Sequence, residues 1–368
     1  MSREWVPFGA LAATVILIQL VTMFTNTQYY LTQLIMAALY SIVVIGLCLL
    51  MGYAGQISLG HAGFFAIGGY TAAVGTTLNL LPHRDHVLVR MAERAGLTIQ
   101  TTNSWGVDIL YFSPWITLLA ALLLSGVISL LIGIPVLRLR GHYLAMATLG
   151  FGAIIYYILL GSRFLGEADG IYDVPGFGLP GGFTFDGARN NRVLSYYFVW
   201  ALVIGLMVLM HNLVNSRPGR ALRAIHGNEP AAMAMGVDTA RYKLSLFVLS
   251  AVCAALGGVF MAHYNGGMGP TEAGTLKAVR YVAIVAVGGM ASLWGTLGAS
   301  VVLNFLSLRG YFGSLDDAVF GVVLITVMLV APDGILRRLG MYTLRRNRDT
   351  APDAFPVSAE KQVQRGTA

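Results

Sequence analysis

Residues 215–243, NSRPGRALRAIHGNEPAAMAMGVDTARYK, form a polar, basic segment between long apolar runs. Arg217, Arg220, Arg223, Arg241 and Lys243 outnumber Glu229 and Asp238. Such a loop between membrane spans reads as cytoplasmic, because Lys and Arg near span ends stay inside. Its interior carries helix punctuation. Pro218 opens a helix carrying Arg220 to Ile225, and Gly227-Asn228 stops it. Glu229-Pro230 starts a second short helix that ends at Gly236. Two short helices on an inner loop offer a docking surface to a soluble partner. The stretch therefore predicts a membrane protein that works with something in the cytoplasm.

Composition agrees. The chain has 368 residues, of which 56% are hydrophobic and 11% charged, and its mean hydropathy is +0.70. A soluble domain carries about 25% charged residues, so a soluble class is excluded. The 44 glycines suit close helix packing and broken helices within a membrane. The net charge of +7 is concentrated on inner loops and the tail, as positive-inside topology requires, and does not indicate nucleic-acid binding. Cys48 and Cys253 fall within apolar runs and read as small packing residues, without a disulfide or metal framework. The first run, Val6 to Phe24, lacks a small-residue cleavage site and reads as a retained span.

Apolar runs fall at 6–24, 31–51, 61–81, 114–137, 143–161, 195–213, 245–264, 279–288, 296–308 and 317–331. They predict an all-α polytopic membrane protein of about eight to ten transmembrane helices, some of them broken. The runs at 279–288 and 296–308 are short, so they read either as half-helices or as one bent hairpin. An inside N-terminus and an even number of crossings place both termini in the cytoplasm and leave most of the 24 cations inside. The outer loop at 82–113 holds mixed charge. The outer loop at 162–194 is rich in Gly, Asp and Pro, which is turn chemistry rather than helix. The tail from 339 onward is polar and reads as disordered.

The run GYAGQISLGHAG (52–63) sits between two spans. Its glycines loosen helix, while Gln56, Ser58 and His61 put polar groups near membrane depth. It is either unwound backbone lining a cavity or a tight inner loop packed by small residues. His61 has no second ligand at metal spacing. GMASLWG (289–295) resembles this run faintly, as an internal duplication would. No G-x-x-x-x-G-K-[ST], G-x-S-x-G or H-E-x-x-H occurs, so no nucleotide or catalytic motif is present and no catalytic residue is assigned. A membrane enzyme has no support. An ion-coupled secondary carrier would need buried ionisable residues, of which the proposed spans hold almost none.

Four segments in order, GYAGQISLGHAGFFAIGGYTAA, LRLRGHYLAMATLGFG, GRALRAIHGNEPAAMAMGVDTARYKLSLFVLSAVCAALGGVFMAHY and VGGMASLWG, resemble the branched-chain amino-acid ABC permease family, in its LivM-type form. The resemblance covers roughly 31–338. It leaves out the N-terminal span (1–30), the 82–113 loop and the tail (339–368). It implies an ABC-importer permease in a bacterial inner membrane, with no cofactor bound directly and ATP and magnesium held by partners. Those partners are a second, LivH-like permease, two ATP-binding subunits and a periplasmic solute-binding protein, in the lipid bilayer. It implies that Gly219, Arg220, Ala221, Leu222, Arg223, Ile225, Asn228, Glu229 and Pro230 contact the ATPase. The solute would be a branched-chain amino acid, or else urea, an amide or an aromatic carboxylate. A weak path site would draw on Gln56, Ser58, His61 and Asn304. Members of the family often carry Ser-x-Glu where this chain has Ala278, Val279 and Arg280, and Gly-Gly-x-Asn-Gly where it reads Glu167-Ala168-Asp169-Gly170. Asp169 and Arg280 are thus selectivity candidates, with Arg280 otherwise a snorkelling interfacial cation.

Overall fold

The computed structural model describes residues 2–330, apart from 85, 86, 95, 103–105, 107, 140 and 312. The expected tail, and Arg140, lie outside the described residues. The first run forms α1 (Ser2–Phe24) and the second forms α2 (Tyr29–Ala54). α2 is apolar all round, and its best membrane-length window is 94% buried against 22% for α1. A helix with no polar stripe gains most at the centre of a bundle. α2 is accordingly ringed by α7 (Arg192–Asn215), α10 (Thr239–Asn265), α11 (Thr275–Gly288) and α12 (Leu293–Leu308).

α3 (His61–Thr77) lies beside this centre and packs most extensively on α10. Small residues make that contact close. A Cβ at Gly68 would stand 2.2 Å from Ala255 O, and one at Gly258 would stand 1.9 Å from Phe65 O. With lipid as apolar as leucine, such backbone approach is what holds spans together. α5 (Pro114–Val136) and α6 (His142–Gly161) flank α3 and keep most of their surface exposed. Leu119, Leu123, Val127 and Leu131 on α5 form an exposed apolar stripe. Among the described residues, six helices have the length and apolarity to cross a membrane.

Between α3 and α5 the outer loop is ordered as α4 (Val87–Arg94) and a hairpin of β1 (Thr98–Thr102) with β2 (Asp108–Phe112). There the hydrogen bond from Arg84 holds the Glu93 carboxyl below the usual carboxylate range. The second outer loop forms β3 (Ile171–Tyr172), β4 (Phe177–Gly178) and β5 (Thr184–Phe185). β4 pairs with β5, whereas β3 pairs with β6 (Gly267–Met268) beyond the end of α10. Turn chemistry is the reading for this stretch; β4 and β5 form a short local hairpin around such a turn, while β3 finds a partner distant in sequence.

α7 leads into α8 (Arg217–Gly227) and α9 (Glu229–Ala234), the two short helices that the proline and asparagine signals predict. Ser216 caps α8 by accepting from Gly219 N–H, and Asn228 caps α9 by accepting from Ala231 N–H. The face carrying α8 and α9 is the inner face below. α11 and α12 settle the ambiguity at 279–308 as a hairpin of two short antiparallel helices. At 14 and 16 residues they span about 21 and 24 Å, less than the roughly 30 Å hydrocarbon core. α13 (Asp316–Val330) returns from the outer side. Phe8 near the start of α1 meets His211 and Trp294, so that end of α1 also lies on the inner face.

Candidate functional site

Two breaks in the helices meet at the inner face. α2 ends where Gly55 takes a left-handed conformation (φ 65°), and residues 55–60 run non-helically into α3. Gln56, Ser58 and His61 are all buried, at 3%, 1% and 1% exposure. His61 Nε2 lies 2.9 Å from Ser250 Oγ, and Nδ1 lies 3.1 Å from Ser58 Oγ. Ser250 gives its proton to Phe247 O, so its oxygen accepts from His61 Nε2–H. The neutral imidazole with its proton on Nε2 then accepts from Ser58, which satisfies both ring nitrogens, whereas Gln56 Oε1 is buried without a hydrogen-bond partner. Thr148 on α6 fastens the same segment by accepting from Leu59 N–H at 3.0 Å.

The second break, residues 289–292, joins α11 to α12 and lands on the last turns of α2. A Cβ at Gly52 would stand 1.6 Å from Met290 O. Tyr53 OH donates to Ala291 O (3.0 Å), and Cys48 Sγ lies 3.3 Å from Met290 O. The two Gly/Ser/Leu runs that look faintly alike in sequence thus sit against each other in space.

The α8–α9 hairpin abuts the first break. α8 turns Gly219, Leu222 and Ile225 inward, and it packs on α2, α7 and α10. A Cβ at Gly55 would stand 3.0 Å from His226 Nδ1. The exposed side of the hairpin carries Arg217, Arg220, Arg223, Asn228 and Pro230, with Ala221 half-buried. Arg223 is partly committed, donating to Val214 O at 2.8 Å. Glu229 forms an ion pair with Lys243 of α10, tying α9 to the span that follows it. Sequence reasoning missed Met233 and Met235, which stand out at 46% and 84% exposure. Two exposed methionines on a polar loop were the available signal, since flexible thioethers suit contact surfaces. Ser250 and Thr148 were also missed, each lying within an apolar run with no local sign of its role.

Asn304 is not part of this cluster. Its amide donates to Ser300 O and Ser300 Oγ, and Ser300 Oγ lies 2.9 Å from Ser41 Oγ of α2. Ser41 stands 13 residues before the end of α2 at Ala54, so by helical rise the Asn304 amide is roughly 20 Å from the start of the break. Asp169 and Arg280 lie at the opposite, outer end. Asp169 is exposed on a loop whose Gly170 packs against Met268 O. Arg280 does not snorkel. It hydrogen-bonds Ser307 (3.1 Å), Asp316 (2.6 Å) and Asp317 (3.0 Å), and its guanidinium stacks 4.5 Å from the Phe320 ring centre. The extra cation is thus matched by two carboxylates 36 and 37 residues on, a pairing with no local signature.

A central all-round-buried helix, two abutting breaks and a capped inner hairpin are one architecture. The family model described as branched-chain amino acid transport system / permease component matches residues 29–330, which takes in all of it. The chain belongs to this permease family. The LivM permease protein of the high-affinity branched-chain amino acid transport system of Salmonella typhimurium is 31% identical over 321 residues, 82% of this chain and 68% of the relative. LivM of Escherichia coli K12 is 30% identical over 318 residues, 81% of this chain and 68% of that protein. LivH of Salmonella typhimurium is 23% identical over 324 residues, 84% of this chain and 96% of that protein. The resemblance to LivM rather than LivH is therefore borne out. No solved structure matches the chain. Among the described residues, no group of His, Cys, Asp and Glu could hold a metal ion.

Proposed function

We propose that this permease is the LivM-like membrane subunit of an ATP-driven importer. It carries branched-chain amino acids or a related small solute from periplasm to cytoplasm by alternating access. Its partners are a LivH-like permease, two ATP-binding subunits that hold ATP and magnesium, and a periplasmic solute-binding protein. The inner face is then cytoplasmic, as the basic α8–α9 hairpin favours, and both termini share that side in a bacterial inner membrane.

The hairpin is the observation that carries the reading. It presents Arg217, Arg220, Met233 and Met235 outward while Leu222 and Ile225 are anchored among the spans. A groove on an ATPase that grips the outward side moves the inward side as a rigid body. Through His226 against Gly55 and the Glu229–Lys243 pair, that motion reaches both the α2–α3 break and α10. The breaks supply what such a motion needs, backbone already free of helical hydrogen bonds next to tightly packed spans. Ser58 and His61 are sealed inside the chain and hydrogen-bonded there, so they act as the fastening of the break, with Gln56 buried in the same segment. Path residues need a surface that the partner permease completes.

Co-purification tests the reading. An ATPase subunit expressed with the permease pair should be retained by the wild-type chain and lost with Arg220→Glu, while membrane insertion is unchanged. Equal retention by both would overturn the coupling role.

A further inference from the structure

On the outer face a cavity of about 430 Å³ opens between α6 and the start of α11. Its size falls within the ~300–1,000 Å³ of small-molecule sites. One wall is aromatic, formed by Tyr156 and Tyr157, whose rings meet edge to face at 5.4 Å. The opposite side is ionic, with Lys277, Arg280 and Asp317. Each ionic group keeps unused bonding capacity. Lys277 Nζ donates to Glu272 (3.0 Å) and Tyr40 OH (2.9 Å), which uses two of its three protons. Arg280 Nη1 donates one of its two protons, to Ser307. One Asp317 oxygen serves Arg280, and its side chain is 49% exposed. α11 begins here at Gly274 without a side-chain cap, and Gly274, Thr275 and Leu276 line the cavity, so the uncapped first turn borders it.

We propose that this cavity is an outer-mouth solute subsite, which takes a zwitterion with a compact apolar side chain. The solute carboxylate meets Lys277, Arg280 and the first turn of α11. The ammonium meets Asp317, and the side chain lies on Tyr156 and Tyr157. A simple anion suits the site less well, because Glu272, Asp316 and Asp317 outnumber Lys277 and Arg280 around it. Urea leaves the ionic groups without counter-charge. The assignment rests on the permease reading above and adds the residues of this chain that a solute first meets. It also explains the departure at Arg280, whose side chain forms part of the ionic wall.

The test uses proteoliposomes holding the complete importer, with saturating leucine-loaded binding protein outside and ATP inside. Leucine carried per ATP hydrolysed is measured for wild type, Tyr157→Ala and Asp317→Asn. Tyr157 is 68% exposed, so its loss leaves the fold intact. Asp317→Asn keeps its volume while Arg280 retains Asp316. A drop of about tenfold in leucine per ATP in Asp317→Asn, the scale of one lost charge-assisted contact, supports the subsite. A smaller drop in Tyr157→Ala, with an altered leucine-to-valine ratio, supports the aromatic wall. Uptake and ATP hydrolysis falling together in both variants would reduce the cluster to a structural latch and overturn the subsite. So would ratios equal to wild type. Wild-type importer that moves no amino acid sinks the permease reading itself, and the subsite with it.

Discussion

Replacing Gly52 by alanine would put a methyl carbon 1.6 Å from Met290 O and 2.4 Å from its carbonyl carbon. Ordinary contact begins near 3.4 Å, so the 289–292 break would have to retreat by about 1.8 Å in an interior packed as densely as a crystal. The obstacle is backbone, held by Tyr53 and Cys48, and it cannot swing aside as a side-chain tip would. Overpacking of this kind costs about 1–3 kcal/mol, and a rigid neighbour puts it toward the upper end. Alanine in place of a helical glycine returns up to roughly 1 kcal/mol. The net expected loss is about 2 kcal/mol, together with displacement of the α11–α12 hairpin from α2. Gly205 on α7 is the control, because a Cβ there meets nothing within 4 Å. Thermal unfolding of the detergent-solubilised permease pair should place Gly52→Ala clearly below wild type and Gly205→Ala at or above it. If Gly52→Ala unfolds at the wild-type temperature, the abutting of the two breaks is not what holds this end of the bundle.

Three further outcomes follow from the inner face. Gly55→Ala forces an L-residue into the left-handed region at a cost of about 1–2 kcal/mol and brings Cβ to 3.0 Å from His226 Nδ1; ATP hydrolysis should become less dependent on loaded binding protein, and unchanged stimulation would count against this contact. Ser250→Ala leaves His61 Nε2 buried without an acceptor, a loss of about 1–3 kcal/mol. Ser250→Thr keeps the oxygen and should recover most of the thermal stability, so equal loss in both variants would refute the hydrogen bond. Glu229→Lys and Lys243→Glu should each impair uptake, and the double exchange should restore it. Failure of the double exchange would mean that Glu229 is needed by the partner and not by Lys243.

What sequence could reveal divides by the range of the interaction. α8 and α9 were legible because their caps and prolines act within four residues, as were the breaks, whose glycines act on their own backbone. Hydropathy located the spans but could not rank them. α2 and α5 both read as continuous apolar runs, yet one is buried against protein and the other faces outward, since leucine against leucine and leucine against lipid look alike in sequence. The site residues found by pattern were those in polar loops. Those missed make their contacts across the bundle, as Ser250 does with His61 and Asp316 with Arg280. Among the outer strands β3 was invisible for the same reason, finding its partner beyond the far end of α10.

The central claim is that an ATPase docked on α8–α9 drives solute through the spans. Uptake of labelled leucine into proteoliposomes tests it most directly, with this chain, its partner permease, the ATPase and the binding protein reconstituted together. The account predicts uptake that requires both ATP and the binding protein and is abolished by Arg220→Glu. Leucine uptake that persists without ATP, or that survives Arg220→Glu unchanged, would contradict it.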